Sequence, residues 1–320
     1  MSPAIERSVV KIAASKWLLG SSMICESDLT GPPKDAKASW IGDDGKTFYL
    51  RTAPASLVAA PASKSTSAPF EMDTIHKGGT SAAVWAFGGV HVKVKSWVPE
   101  LESEQISIEH VRKANIPVPE VVFSWVDHAW NRSFLILKSV PGRTLDQAWP
   151  DLSFSERRKF ADEIASFCAT LAINCRKRME TLSGKGIRED FLTRRPSPDV
   201  PSWTPNVAGP FTAEQLGSYC RSPSIPTEPD FYFYHADLGP TNIILNDQNS
   251  VAAVIDWESA AFYPRFWIAT KPLVSAGFYL KDGKRHEWAE LLSRTLEERG
   301  FNADVEMYQR WRDALDEYSP

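Results

Sequence analysis

The chain has 320 residues, of which 43% are hydrophobic and 24% charged, and its formal net charge is −4 at pH 7. This length and apolar content suffice for one enzyme-sized protein with a large core. The slightly negative charge argues against nucleic-acid binding, which normally needs a basic surface. Because the sequence lacks a long apolar run, a signal-peptide core and clustered cysteines, we expect a cytoplasmic protein without a membrane partner. The sequence leaves the oligomeric state open.

Residues 1–68 are interpreted as an amino-terminal extension and linker. Residues 5–19 carry a helical pattern, and residues 47–51 predict a strand that extends the sheet of the next segment. Residues 59–69 are small, polar and proline-bearing, which is typical of a flexible link.

Residues 75–95 alternate strand and turn signals. Gly78 and Gly79 let the backbone approach a bound phosphate closely, and Thr80 and Ser81 add polar donors at the tip of the turn. The segment lacks the spacing of a P-loop, and no helix pattern follows it directly. It therefore predicts a glycine-rich hairpin. The simple alternative is a hairpin that binds no ligand.

The strand predicted at residues 90–95 places its valines on one face and His91, Lys93 and Lys95 on the other, because side chains alternate along a strand. Two lysines therefore point the same way, and each is a candidate for binding phosphate. The alternative is a strand whose outer face is merely basic and solvated.

Residues 99–113 open with proline and acidic residues and end in basic ones, which predicts a helix. Its apolar stripe consists of Leu101, Ile108 and Val111. Glu104 lies on that stripe, whereas Glu102 does not. Because an unpaired buried charge costs several kcal/mol, Glu104 should have a cationic partner, and Lys93 is the natural candidate. The alternative is a surface glutamate on an ordinary amphipathic helix.

The next segments predict a larger, mainly helical part of the protein. Residues 134–145 read as an apolar strand that runs through Pro141 and Gly142 into a helix start. Apolar residues from 154 to about 182 keep a helical period, which predicts a long core helix. Residues 193–230 are rich in proline, so we expect a structured loop or lid rather than a packed helix pair.

Residues 235–258 are the most informative stretch. Asp237 is followed by Asn242, and Asp256 ends the next apolar segment. Such an aspartate can accept the proton of an attacking hydroxyl, while an asparagine and a second aspartate can hold Mg²⁺ against nucleotide phosphates. Residues 242–255 read as a hairpin that brings Asn242 and Asp256 to the same end. The alternative is a polar turn with a capping aspartate.

The pattern H-x-D-L-x-P-x-N at 235–242, joined to I-D-W-E at 255–258, resembles the catalytic core of the aminoglycoside phosphotransferase (APH) family, the small-molecule relatives of protein kinases. Its spelling most resembles fungal members. The resemblance implies an α+β, two-lobed protein-kinase-like fold, with a small antiparallel β lobe at 69–140 and a mainly α-helical lobe at 141–320. It also implies that Asp237 is catalytic and that Asn242 and Asp256 bind Mg²⁺.

The same resemblance implies nucleotide-binding roles for upstream residues. The glycine-rich turn would cover the phosphates of ATP, and Lys93 is favoured over Lys95 as the lysine that contacts them. Glu104 would hold that lysine in place. Lys138 and Val140 fall in the hinge between the lobes, whose backbone pairs with adenine; Lys138 stands where the family often has glutamate, which affects nucleotide preference more than activity.

The sequence therefore predicts a kinase that uses ATP and Mg²⁺ to phosphorylate a hydroxyl of a small molecule, for example a secondary metabolite. An aminoglycoside is a poor default acceptor, because a polycation favours an acidic pocket and the large lobe shows no dense acidic run. Two alternatives stay open. One is a catalytically inactive nucleotide-binding scaffold of kinase fold. The other is a transferase that catalyses a different reaction and uses the carboxylates as acid and base.

Overall fold

The computed structural model describes residues 3–54, 70–71, 74–78, 81–201, 203–220 and 230–316. The chain divides into two compact units. The first is Met1–Val98, Glu120–Ser139 and Pro201–Pro205, and the second is Pro99–Pro119, Val140–Val200 and Asn206–Pro320. Within the described ranges, no helix is long and apolar enough to cross a membrane. The link predicted at 59–69 lies outside the described residues.

The first unit opens with a six-stranded antiparallel sheet in the order β4-β5-β3-β2-β1-β6. Its strands are β1 (Val9–Ala13), β2 (Lys16–Leu19), β3 (Met23–Asp28), β4 (Ala38–Ile41), β5 (Thr47–Thr52) and β6 (Phe70–Glu71). The strand predicted at 47–51 is confirmed as β5, although it pairs with β3 and β4 and does not extend the following sheet.

The helix predicted at residues 5–19 is wrong. Only a 3₁₀ turn, Ile5–Ser8, precedes β1 and β2. Val9 pairs with Leu19, and both side chains are fully buried. The same apolar residues that mimic a helical period thus fill one face of a hairpin, where neighbouring strands satisfy their backbone groups.

A second antiparallel sheet of the first unit has the order β10-β11-β9-β8-β7. Its strands are β7 (His76–Gly78), β8 (Ala82–Phe87), β9 (Val90–Ser96), β10 (Val121–Asp127) and β11 (Arg132–Lys138). Gly88 and Gly89, both with positive φ, form the two-residue turn between β8 and β9, as a tight hairpin requires. The predicted alternation along β9 is confirmed, because its three valines are fully buried while Lys93 and Lys95 are partly exposed.

The two sheets bury their apolar faces in one core within the first unit. Trp17 of β2 stacks on Phe87 of β8 with ring centroids 5.0 Å apart. Trp85 and Phe134 are among the largest buried side chains of this core. Aromatic rings bury large apolar areas, so the burial of this cluster stabilises the unit.

The second unit contains all seven α-helices that the described residues form. They are α1 (Glu104–Lys113), α2 (Leu145–Ala148), α3 (Phe154–Leu171), α4 (Ala213–Cys220), α5 (Trp267–Val274), α6 (Glu287–Glu298) and α7 (Val305–Asp316). The long core helix is confirmed as α3, which begins with a capping box between Ser153 and Glu156. The loop predicted at 193–230 contains a helix, α4, which packs on β15.

Short strands complete the second unit. They are β12 (Arg143–Thr144), β13 (Cys175–Arg176), β14 (Arg178–Met179), β15 (Phe211–Thr212), β16 (Phe231–Tyr234), β17 (Ile243–Leu245), β18 (Val251–Val254) and β19 (Ala261–Pro264). The predicted hairpin is confirmed, since β17 pairs with β18 and the N–H of Ile255 donates to the carbonyl of Asn242 at 2.9 Å. Antiparallel sheets in the first unit and helices with short strands in the second give the predicted α+β architecture.

Candidate active site

Residues 235–242, here the aspartate–asparagine loop, follow strand β16. The fully buried imidazole of His235 accepts a hydrogen bond from the N–H of Asp237 on Nδ1, at 3.1 Å. Its Nε2 lies 3.0 Å from the carbonyl oxygen of Ile255. Because a carbonyl can only accept, Nε2 must carry the proton and the imidazole is neutral. His235 therefore ties this loop to the end of the following hairpin.

The carboxylate of Asp237 is held from one side. The amide of Asn242 donates to its Oδ2 at 3.0 Å and to its main-chain oxygen at 2.9 Å. No hydrogen-bond donor within the described ranges contacts Oδ1. A Cβ built on Gly277 would lie 3.1 Å from that oxygen, so backbone without a side chain lines this side of the carboxylate. Oδ1 can thus accept a further hydrogen bond from a bound molecule.

The electrostatic surroundings of Asp237 favour its neutral form. Burial is the main cause and the charge of Asp256 adds to it, and together they raise the pKa of Asp237 to about 6. Lys271 opposes this rise. Lys271 is itself buried and paired with Glu189 at 2.7 Å. A carboxyl with a pKa near neutrality can both hold and release a proton under physiological conditions.

Residues 256–258, here the acidic loop, follow strand β18. Asp256 has φ +66° and ψ +57°, a left-handed conformation that is uncommon for residues other than glycine and turns the chain sharply after the strand. Trp257 is buried, and its indole N–H donates to the carbonyl of Val254 at 2.9 Å. Its ring packs on His235 with centroids 4.4 Å apart. The two loops are therefore packed together.

A residue of helix α1 also reaches the acidic loop. The Oε1 of Glu104 accepts the backbone N–H of Trp257 at 3.1 Å, across 153 positions of sequence. Carboxylate oxygens of Glu104, Asp256 and Glu258 lie within 4.8 Å of one another. Glu258 is also bound by Arg188 at 3.0 Å. Hard carboxylate oxygens at this spacing fit Mg²⁺, which neutralises their mutual repulsion when it binds.

The first unit contains most of the residues predicted to contact nucleotide. In the sheet register, Lys93 lies opposite Val84 and Lys95 lies opposite Ala82, which follows Ser81. Gly78 ends β7 and pairs with Ala82. Gly79 and Thr80 lie outside the described residues, so their placement is not described.

The predicted hinge residues occupy the end of β11 and the segment after it. Lys138 ends the strand, and its ammonium group pairs with Glu120 at 2.8 Å. Val140 is the first residue of the segment Val140–Val200, which belongs to the second unit. The side chain of Lys138 is therefore engaged by a residue of the first unit.

Residues 35–267, well over half of the chain, match the phosphotransferase enzyme family (APH). The chain belongs to this family, and the protein is a phosphotransferase of the small-molecule kinase class. The matched residues include both loops of the site as well as Lys93 and Glu104. They end before Lys271 and Gly277.

No curated protein matches the sequence. Among solved structures, the chain is similar to an aminoglycoside-3'-phosphotransferase of type VIII, at 18% identity and a TM-score of 0.45 over 77% of this chain and 93% of that one. It is also similar to aminoglycoside phosphotransferase APH(3'')-Id from Streptomyces rimosus, at 22% identity and a TM-score of 0.45 over 73% and 88%. The family assignment rests on the match to the family and not on these distant similarities.

Proposed function

We propose that the protein transfers the γ-phosphoryl group of ATP to a hydroxyl of a small molecule, such as a secondary metabolite, with Mg²⁺ as the metal ion. One observation carries the proposal. Asn242 binds Oδ2 of Asp237, while Oδ1 faces the bare backbone of Gly277 and the carboxyl has a pKa of about 6. A carboxylate so placed can orient an alcohol and accept its proton near neutral pH.

In the proposed reaction, the acceptor oxygen attacks the γ-phosphorus of ATP and its proton passes to Oδ1 of Asp237. The bond from phosphorus to the bridging oxygen breaks, and its electron pair leaves on ADP. Asn242 and His235 hold Asp237 in place during this step. Mg²⁺, when bound, neutralises charge on the phosphate oxygens. Asn242 and Asp256 are the proposed metal ligands, and the carboxylates of Glu104 and Glu258 lie beside Asp256.

We assign the nucleotide to the first unit and the hinge. Lys93 is the proposed contact of the α- and β-phosphates, with Lys95 on the same strand face as its alternative, and Glu104 is the proposed residue that orients the lysine. The turn from Gly78 through Gly79, Thr80 and Ser81 would cover the phosphates. Main-chain groups around Lys138 and Val140 would pair with adenine. The strand that carries both lysines pairs with β8, which begins at Ala82 directly after the glycine-rich sequence. This supports the assignment, since lysine ammonium groups and backbone N–H groups both donate hydrogen bonds to phosphate oxygens.

The proposed partner is therefore a hydroxyl-bearing small molecule rather than a nucleic acid, in keeping with the net charge of −4. We do not favour an aminoglycoside as acceptor, although the similar solved structures are enzymes of that kind, because the sequence has no dense acidic run for a polycation. The amino-acid sequence of the aspartate–asparagine loop is the reason for proposing that the protein resembles fungal members of the family.

The proposal is tested with purified protein, ATP, Mg²⁺ and a fractionated metabolite extract. ADP release should depend on an extract fraction, and mass spectrometry should find a compound in that fraction that gains one phosphate. The Asp237→Asn variant, run in parallel, controls for contaminating kinases. Tight ATP binding with no acceptor-dependent ADP release from any fraction would contradict the proposal and favour a nucleotide-binding scaffold.

A further inference from the structure

Arg188 places a cation beside the carboxylates of the candidate metal site. Its Nη1 donates to Oε2 of Glu258 at 3.0 Å. Glu258 also offers a carboxylate oxygen within 4.8 Å of those of Glu104 and Asp256. The guanidinium and a bound Mg²⁺ would therefore interact with the same carboxylate. The proposed phosphoryl transfer assigns no role to Arg188.

The backbone that carries Arg188 is fixed by its neighbours. Ile187 exchanges two backbone hydrogen bonds with Ala208, at 2.8 and 3.1 Å. A Cβ built on Gly186 would lie 2.5 Å from the side chain of Val207, so the two stretches of chain pack closely. A side chain on a fixed backbone loses less entropy when it forms an ion pair, so the guanidinium is preorganised beside the acidic loop.

The same stretch of chain also binds the start of helix α1, which carries Glu104. The ammonium group of Lys185 donates to the carbonyl of Leu101 at 2.8 Å, and the N–H of Ser183 donates to Oε2 of Glu102 at 2.5 Å. These contacts join protein groups only, so they form before a metal ion binds. One short segment thus contacts both the helix and, through its arginine, the acidic loop.

The charge of Arg188 has opposite effects on the metal-free and the metal-bound site. Ionised carboxylates as close as those of the cluster repel one another, and the guanidinium offsets part of that repulsion. A metal ion offsets the same repulsion but is itself repelled by the guanidinium. The side chains of Arg188 and Glu258 are only 26% and 23% exposed, so solvent screens these interactions incompletely. A residue with a purely structural role would instead support both states.

The electrostatic effect should exceed the loss of order that removal of the arginine would cause. Loss of the ion pair frees the side chain of Glu258, which is a single glutamate. The repulsion between the guanidinium and the metal ion, in contrast, is proportional to the charge of +2 on the ion. We therefore expect removal of the guanidinium to tighten metal binding.

We propose that Arg188 is a positioning residue that neutralises Glu258 in place of a metal ion and thereby limits the affinity of the site for Mg²⁺. The proposal rests on the proposed function, because it takes Asp256 and the neighbouring carboxylates as the metal site. It adds a determinant of metal affinity that is not itself a metal ligand.

The experiment measures binding of Mn²⁺ to the full-length protein without nucleotide or acceptor. Mn²⁺ takes the hard oxygen ligands that Mg²⁺ takes, and the electron paramagnetic resonance signal of the free ion reports its concentration. Arg188→Gln should bind Mn²⁺ about three- to tenfold more tightly than wild type, whereas Arg188→Lys, which keeps the charge, should stay within about twofold. Unchanged or weaker binding by Arg188→Gln would overturn the proposal, as would equal tightening by Arg188→Lys.

Arg195→Gln is the matched control, because it removes the same charge from an exposed side chain that pairs with Asp316 at 3.5 Å. Its Mn²⁺ affinity should stay within about twofold of wild type. Tightening equal to that of Arg188→Gln would show an effect of net charge alone and overturn the proposal. Absence of Mn²⁺ binding in every protein would refute the metal site of the proposed function, and this proposal with it.

Thermal unfolding gives a second readout. In EDTA, Arg188→Gln should melt below wild type, and added Mg²⁺ should raise its Tm by more than it raises that of wild type, since tighter binding to the folded state stabilises it further. A variant that is destabilised equally with and without Mg²⁺ would have lost only a packing contact, which would contradict the proposal.

A double-variant cycle tests whether Arg188 acts through Glu258. In a Glu258→Gln background, Arg188→Gln should change the Mn²⁺ affinity by less than about twofold, because a neutral amide no longer holds the guanidinium beside the ion. An equal gain in both backgrounds would show that the arginine acts without Glu258 and would overturn the assignment.

Discussion

The aspartate–asparagine loop and the acidic loop are stabilised in opposite ways. In the first, Asp237 is held by His235 and Asn242, which lie within the same eight residues. In the second, the backbone after Asp256 is bound by Glu104, which lies in helix α1. Asp237 is therefore held mainly by residues of its own loop, although His235 also joins that loop to Ile255 and Trp257, whereas the acidic loop is also bound by a distant helix.

The difference has a functional consequence. The hydrogen bonds from Asn242 and to His235 position Asp237 from within its own loop, which suits a group that must meet a hydroxyl at hydrogen-bond distance. A loop that depends on a distant glutamate changes when that helix moves. We therefore expect substitution of Asp237 to abolish turnover without changing nucleotide binding. Substitutions around the acidic loop should lower turnover by smaller factors, and the losses should depend on the Mg²⁺ concentration.

The largest expected effect is on Asp237. Asp237→Asn should lower turnover by about a thousandfold or more and leave ATP affinity within about threefold, because it removes the proposed proton acceptor but no proposed nucleotide contact. Turnover and nucleotide binding are measured on the same preparation. Asp247→Asn, exposed in the turn between β17 and β18, is the control and should be active. Activity of Asp237→Asn above about a tenth of wild type would remove the catalytic role.

Asp256→Ala should follow, with a loss of at least about a hundredfold. Asp256 is the proposed metal ligand, and loss of a direct ligand should lower activity more than loss of a residue that only positions a ligand. Added Mg²⁺ should restore little of the activity. A magnesium titration of wild type and variant, monitored by ADP release, measures both points. An unchanged magnesium dependence would show that Asp256 is not a metal ligand.

The stability of the metal-free protein gives a third comparison. The pKa of Asp237 rises from 3.8 to about 6 on folding, so its ionised form destabilises the folded state by up to about 3 kcal/mol. A raised carboxyl pKa contributes stability at low pH that is lost as pH rises through 6. Asp237→Asn should therefore be more stable than wild type at about pH 8 and nearly equal to it at about pH 4. Thermal melts in EDTA check this, and a variant destabilised equally at both values would contradict it.

Glu104→Gln should lower turnover by about tenfold and weaken the response to Mg²⁺, because a neutral amide holds the Trp257 N–H less strongly and removes one of three clustered charges. Glu109→Gln is the matched control, since Glu109 is exposed on the same helix. A Glu104→Gln variant as active as the control would limit Glu104 to a packing role.

A double-variant cycle sharpens this prediction. If Glu104 also orients Lys93, then Lys93→Met and Glu104→Gln together should be little worse than the more damaged single variant, whereas Lys95→Met should be mild. Strictly additive losses would assign Glu104 to the acidic loop alone. If Lys95→Met were inactive and Lys93→Met active, Lys95 would be the residue that contacts the phosphates.

The smallest expected effect is at Gly277. A methyl group there would lie 3.1 Å from Oδ1 of Asp237, so Gly277→Ala should narrow the acceptor side and lower turnover by about three- to tenfold without changing nucleotide affinity. Gly239→Ala should be worse, because its Cβ would lie 2.1 Å from the carbonyl oxygen of Gly277 and force the two backbones apart. Full activity of Gly277→Ala would place the acceptor elsewhere.

Sequence alone was sufficient for features whose contacts are local. The β17–β18 hairpin, the alternation along β9 and helix α3 were predicted because their signals are short-range periodicities and turn residues. The family also followed from sequence, since the spacing of Asp237, Asn242 and Asp256 is set by one loop and one hairpin. The amino-terminal sheet was misread as partly helical, because residues 5–19 satisfy both periods and only pairing with β3 and β6 selects the strand.

The tertiary structure decided the rest. No sequence signal connects Glu104 with the N–H of Trp257, or Gly277 with the carboxylate of Asp237, because these contacts join segments that are far apart in the chain. The near-neutral pKa of Asp237 likewise depends on burial and on Asp256 and Lys271, which only folding brings near it. The sequence by itself determined which groups are present and how each short segment folds. Folding determined which groups meet, because desolvation and long-range contacts exist only in the packed chain.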